Sequence, residues 1–416
     1  MVKVLRMSPE RRWSKRALFL VLTLITVFGS LSVRADERDQ AKRIHDRIAG
    51  VPPDDATLTT MANDIANNDP LTAALIATDN KNFYNVTLKN FAAPWTNRTQ
   101  DVFIPLNDYT ATVIGMVRDD VDFRNILFGD IIYVGVGNGI PAYSNSNNAN
   151  YDALDAQAVD LSDTSKLVQR PQSSVTGVPS NATAGVLTTR TASKAFFING
   201  TNRAMFRFTM LNHMCHDMET VHDTSRAPDR IRQDVSRSPG GDARVFLNGC
   251  IGCHSGMDPM AQAFAYYNFQ YDKVNDPNGD AGSLQYNDIG AVDPVTMTRV
   301  VAKYFNNNTT FPYGYITPND HWDNYWRNGP NAVLGWDSSL PGSGDGAKSL
   351  GQELANSQAF AECQVEKVFK NVCLRDPQDA ADRGQIAAMV SDFQSGTPAY
   401  SLRRVFAESA VYCMGN

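Results

Sequence analysis

Two cysteines three residues apart, followed at once by a histidine, constrain this chain more than any other feature. The run is Cys250-Ile251-Gly252-Cys253-His254. On a helix, residues i and i+3 are neighbours, so both thiols share one side and the imidazole stands beside them. Two such thiols can each form a thioether with one vinyl group of the same porphyrin. The adjacent histidine then supplies the proximal imidazole to its iron. The spacing therefore predicts one covalent c-type haem on Cys250, Cys253 and His254, with His254 as iron ligand. A structural zinc site needs four ligands, usually as two pairs, and no second C-x-x-C is present, although His213 and His216 are spaced by three. A thioredoxin-type dithiol belongs in a βαβ setting, which the surrounding pattern lacks.

Haem of this kind is attached outside the cytoplasm, and the N-terminus reads as an export signal. Lys3, Arg6, Arg11, Arg12, Lys15 and Arg16 precede a short apolar stretch over 17–28. Small residues follow, and Val33-Arg34-Ala35 suits cleavage before Asp36. An uncleaved anchor is the alternative reading, although the apolar stretch is short for a membrane span. The 416-residue chain carries 38 Lys and Arg against 44 Asp and Glu. Residues 1–35 hold seven of the former and one of the latter, which leaves 31 basic and 43 acidic side chains and a formal charge of −12. A net negative charge of that size excludes a broadly basic nucleic-acid-binding surface and steers redox partners with basic docking faces. No transmembrane span is expected after signal cleavage, and the expected location is the periplasm or another exported compartment.

The expected fold class is mainly α: helical lobes around a cytochrome c-like haem segment, with long irregular loops and little β. Residues 36–136 read as an N-terminal helical region. Leu58, Met61 and Ile65 recur at helical spacing, as do Tyr109, Val113 and Met116. Residues 137–185 are rich in Asn, Ser, Gly and Pro and read as a loop or linker. Residues 186–300 form the haem domain, with helices expected over about 202–221 and 250–267 and a hairpin or loop over 269–286. Residues 301–345 hold an aromatic-rich insertion that includes Phe311, Tyr313, Trp322 and Trp326. Residues 346–416 return to helices, with Ala361, Val365, Val368 and Val372 on one face. Asp276, Asn278 and Asp280 mimic calcium-loop spacing, but Gly282 falls one place late and Asn287 replaces the closing glutamate, so a turn is expected.

A six-coordinate iron needs a distal ligand. The candidates are Met210, His213, Met214, His216, Met218, His222 and His321. Met257 and Met260 lie within two turns of His254 on its own helix and read as core. A histidine ligand favours low potential, a methionine higher potential, and an open position permits catalysis. The other four cysteines, Cys215, Cys363, Cys373 and Cys413, permit three pairings in an oxidising compartment, with buried free thiols as the alternative for Cys215 and Cys413. Cys363 and Cys373 cannot pair within one straight helix, since ten residues span about 15 Å.

After His254 the chain continues Ser255-Gly256-Met257-Asp258-Pro259-Met260-Ala261-Gln262-Ala263-Phe264, then Phe269 and Asp272. This resembles the single-haem domain of planctomycete-type c-type cytochromes of unknown function, where C-x-x-C-H precedes an Asp-Pro and an aromatic-rich stretch. The segments Ala184-Gly185-Val186-Leu187-Thr188 and Asn202-Arg203 are similar to what precedes the motif there. Leu350, Cys363, Val368-Phe369 and Leu402-Arg403 are similar to that family's C-terminal domain. The resemblance covers about 185–416. His216-Asp217-Met218-Glu219 departs from the usual proline-rich run, and the aromatic insertion is extra. The resemblance implies haem binding and no particular substrate. Periplasmic electron transfer is the leading expectation. A haem-dependent oxidoreductase, peroxidase- or oxygenase-like, is the alternative, since a chain of this length exceeds what an electron carrier needs. A third reading is an envelope module whose aromatic segment binds a polymer through Trp322 and Trp326.

Overall fold

The computed structural model describes residues 36–198, 201–231, 244, 246–305 and 315–415. The expected signal at 1–35 lies outside them, as do Phe311 and Tyr313. The described chain is mainly helical, with three two-stranded antiparallel sheets.

Helices α1 (Glu37–Ala49), α2 (Asp55–Ala66) and α3 (Pro70–Thr78) each begin behind an aspartate. The carboxylates of Asp36, Asp54 and Asp69 accept from the N–H groups of Asp39, Thr57 and Thr72 at 2.7, 2.7 and 3.2 Å. Each thereby satisfies a backbone donor that the first helical turn leaves unpaired. Gly50, at φ 73°, closes α1 by turning left-handed and donating to the Asp46 carbonyl, a conformation open to glycine at little cost.

Helix α4 (Asp108–Arg118) is buried along its whole length. It lies under strand β1 (Ile132–Gly135), and the ring of Tyr133 occupies the place where Gly115 lacks a side chain. Any Cβ at Gly115 would come within 2.1 Å of that ring. Strand β1 pairs with β2 (Leu167–Arg170). Between them, helix α5 (Ala149–Ala156) packs down through Tyr151, whose hydroxyl donates to the Tyr133 carbonyl at 2.8 Å.

Residues 137–185, expected as a loop or linker, are therefore part of the packed body. Their polar side chains replace missing backbone partners: Asn150 accepts from the Gly135 N–H and donates to its carbonyl, both at 2.8 Å. Short Asn and Ser side chains hydrogen-bond nearby backbone readily, so Asn150 satisfies the fold from within, whereas residues 137–139, Ser146 and Asn147 stay exposed.

Next come α6 (Arg190–Phe197), α7 (Asn202–Met214) and α8 (Ile251–Ala261). Helix α7 is shorter than the expected 202–221. Cys215 takes a left-handed conformation, its N–H caps the Met210 carbonyl, and its sulfur is tied to Cys363. Helix α8 also ends early, and the chain enters the hairpin β3 (Tyr267–Gln270) and β4 (Ser283–Tyr286). The calcium-like turn is a turn: Asp276 accepts from the N–H groups of Asp280 and Ala281 at 2.7 and 2.8 Å.

Strands β5 (His321–Asp323) and β6 (Ser343–Asp345) fold the aromatic insertion inward. Trp322 is 1% exposed and Trp326 0%. They are core residues, which removes them as an exposed platform for a polymer.

Helices α9 (Gly346–Ala355), α10 (Gln358–Cys373), α11 (Ala380–Ser395) and α12 (Leu402–Cys413) complete the chain. Ala361, Val365, Val368 and Val372 are all buried, as the pattern predicts. Helix α12 closes against α1, α3 and α10. There Phe406 meets Phe83 and Phe91 edge-on at 5.1 and 5.3 Å between ring centres. Each such buried ring contributes about 1.5–3 kcal/mol. One continuous apolar core runs from Ala41 to Ala410. Two disulfides, Cys215–Cys363 and Cys373–Cys413, staple it. Among the described residues no helix is long and apolar enough to cross a membrane.

Candidate functional site

Cys250 ends a π-turn over Phe246–Cys250, and Cys253 and His254 lie in the first turn of α8. Both thiols are free and half-buried, although every other cysteine is oxidised.

Successive helical residues are about 100° apart. Gly252 and Gly256 therefore both point away from His254, to the far side of α8. The glycine side is pressed against protein. A Cβ on Gly252 would meet the His222 ring at 2.3 Å, and one on Gly256 would meet Trp326 Nε1 at 1.9 Å. The loop that carries Asp223 is bound to the same helix. The Asp223 N–H donates to the Gly252 carbonyl at 2.9 Å, and the Ser255 hydroxyl donates to the Asp223 carbonyl at 2.9 Å. The Cys253 thiol donates to the Met218 carbonyl at 3.4 Å. Burial pushes that thiol's pKa up, and the nearby carboxylates of Glu219 and Asp217 add to the effect.

His254 is held from below. Its Nδ1 lies 2.9 Å from Oδ1 of Asp258, one turn along. Asp258 is itself clamped by Arg203 of α7, with Nε on Oδ1 at 2.7 Å and Nη2 on Oδ2 at 2.6 Å. The carboxylate is 3% exposed. Burial alone would raise its pKa. The Arg203 charge and the hydrogen bonds from His254 and Arg203 outweigh burial and hold it well below the usual carboxylate range. An ionised carboxylate only accepts, so Nδ1 is the donor of this pair and Nε2 is the ring nitrogen left to face a ligand. Among the described residues, Nε2 has no hydrogen-bond partner.

The distal candidates disperse. His213 is fully buried, with Nε2 2.7 Å from the Tyr109 hydroxyl and its ring edge-on to Trp95 at 5.6 Å. Burial, with Lys367 adding, holds its pKa well below the ordinary imidazole value. Met214 takes a hydrogen bond from Ser357 at 3.6 Å. His216 pairs with Thr220 at 3.2 Å and His321 with Asp345 at 3.0 Å. His222 sits behind α8, against Gly252 and away from His254. Met218 borders the motif through its carbonyl. Met210 is buried on the face of α7 that carries Arg203, two turns further on. Met257 and Met260 are core residues, as expected.

Asp258 is legible in the sequence as part of an Asp-Pro pair and as the i+4 neighbour of His254. Arg203, 55 positions earlier, carries no signal of its role there. Nor do Gly252 and Gly256, beyond their four-residue spacing. Among the described residues, no three His, Cys, Asp or Glu side chains converge closely enough to hold a metal ion directly. No family model matches the chain, and neither a curated protein nor a solved structure matches it.

Proposed function

We propose that this chain is an exported mono-haem c-type cytochrome that passes single electrons to a partner with a basic docking face. One observation carries the reading. Cys250 and Cys253 stay unpaired beside an imidazole whose Nε2 is unoccupied, in a chain whose other cysteines all form disulfides. That donor set fits covalent haem: two thiols for thioethers and one oriented nitrogen for iron. Cys250 and Cys253 would hold the porphyrin and His254 its iron. Haem supplies the one-electron couple when bound. The protein's part is to fix the helix through Gly252 and Gly256, to orient His254 through Asp258, and to surround the site with a negatively charged body. Two disulfides and the N-terminal signal pattern support export. The resemblance to planctomycete-type mono-haem cytochromes belongs to this proposal.

A second reading, a haem oxidoreductase, is favoured by the dispersal of the distal candidates. His213, His216 and His321 are hydrogen-bonded elsewhere, and Met214 accepts from Ser357. Met210 and Met218 are the ligand candidates that remain. Absorption spectra of the purified protein, oxidised and reduced, with and without CO, separate the two readings. Electron transfer predicts a ligand-insensitive six-coordinate spectrum. Rapid CO binding and peroxide turnover would replace that reading with the oxidoreductase.

A further inference from the structure

We infer that Asp258, clamped by Arg203, is a positioning residue that sets how strongly His254 donates to iron and so favours the oxidised state of the haem. The inference rests on the haem reading and deepens it.

The relay is built from three residues on two helices. Nδ1 of His254 and Oδ1 of Asp258 are 2.9 Å apart on α8. Arg203 reaches across from α7 with two parallel bonds of 2.7 and 2.6 Å to the two carboxylate oxygens. The side chains of His254, Asp258 and Arg203 are 18%, 3% and 15% exposed. Water therefore competes little for these bonds, and low local polarity strengthens them. A planar guanidinium on both oxygens fixes the carboxylate's orientation as well as its charge. Asp258 in turn fixes the imidazole tautomer and ring angle.

The electronic consequence follows from which species the ring must satisfy. A carboxylate accepting from Nδ1 adds electron density to the imidazole, making Nε2 a more basic ligand. A more basic nitrogen stabilises the ferric over the ferrous ion, because the ferric ion has the higher charge. A backbone carbonyl in the same position would be neutral and would add less. Arg203 moderates the carboxylate without abolishing its charge. The same relay also accounts for an ionised aspartate inside a core, which would otherwise be costly.

Two measurements test this. The first is the midpoint potential of haem-loaded wild-type protein against Asp258→Asn, read by absorption during a redox titration. Asn keeps the shape and an acceptor oxygen but loses the charge. The expected result is a more positive midpoint, with the ferric-to-ferrous ratio at a fixed potential falling about tenfold, equivalent to about 59 mV for one electron. An unchanged or more negative midpoint overturns the inference. The second covers a variant that fails to take up haem. Proton and nitrogen NMR of the haem-loaded wild-type protein reads the Nδ1–H of His254 directly. A strongly deshielded, slowly exchanging Nδ1 proton is expected; one that exchanges as fast as that of a solvated imidazole overturns the inference. Failure of the wild-type chain to carry any haem would instead sink the cytochrome reading, so the two failures are distinguishable.

Discussion

Trp326 and Gly256 make the tightest contact behind the candidate haem helix: the indole Nε1 lies 1.9 Å from where a glycine Cβ would stand. The contact explains why a residue of poor helix propensity sits in the middle of α8. Alanine there would gain about 1 kcal/mol of helix propensity. It would also force apart two packed groups, at about 1–3 kcal/mol for overpacking. Gly256→Ala is expected to lower stability by up to about 2 kcal/mol net in urea unfolding, and to lower the yield of haem-loaded protein. An unchanged unfolding midpoint would remove Trp326 as the support of α8.

His213 and Tyr109 form a buried hydrogen-bonded pair at 2.7 Å, in the core beside Trp95. Tyr109→Phe removes the hydroxyl and leaves Nε2 unpaired, at a cost of about 1–3 kcal/mol. His213 is engaged in packing, so the same variant should leave the haem spectrum of the loaded protein unchanged. A spectrum altered by Tyr109→Phe, with stability intact, would return His213 to the list of iron ligands.

Glu408 and Asp392 share Arg404, at 2.8 and 2.5 Å respectively. Burial, with Asp392 adding, raises Glu408 to about 7, whereas Asp392 is lowered. A carboxyl raised on folding stabilises below its unfolded pKa and loses that contribution as pH rises through the folded one. Stability should therefore fall between about pH 4.5 and about pH 7, by on the order of 1 kcal/mol after solvent screening. Asp392 acts in the opposite sense, its contribution being lost as pH falls below 3.8. Glu408→Gln should flatten the unfolding profile over the upper window only. A wild-type profile already flat there would contradict this account of the pair.

Cys363 and Cys373 lie on the same helix, and each is bonded away from it, to Cys215 and Cys413. The bridges span 148 and 40 residues, so each constrains the unfolded chain by about 4–5 kcal/mol in the loop-entropy model. Replacing both Cys373 and Cys413 with serine should cost about 2–5 kcal/mol and leave Cys215–Cys363 intact on peptide mapping. Mapping that joins Cys250 or Cys253 to any of these four would contradict the pairing.

The helical parts of the fold are legible in the sequence because their apolar faces repeat with the helical period. Val365, Val368 and Val372 on α10 and Val405 and Phe406 on α12 need no other information. Element ends are less legible. The stop of α7 at Cys215 depends on a left-handed residue tied to a cysteine 148 positions away. The polar stretch over 137–185 reads as a linker because residues like Asn150 and its neighbours are usually solvated. Here the Asn150 side chain replaces a backbone partner inside the fold, and helix α5 and strand β2 anchor the stretch to the core. The aromatic insertion reads as a platform for a polymer, because composition alone does not reveal that Trp322 and Trp326 are buried. In the site, the spacing of Cys250, Cys253 and His254 is local and readable. Arg203 is not, because its role comes only from the packing of α7 on α8.

Intact-mass spectrometry of the chain, made in a cell with haem-attachment machinery and read beside its absorption spectrum, tests the central claim most directly. The account predicts one covalently bound haem per chain, lost when Cys250 and Cys253 are both replaced by alanine. A wild-type chain of unmodified mass after signal removal, with no haem absorption, would contradict it.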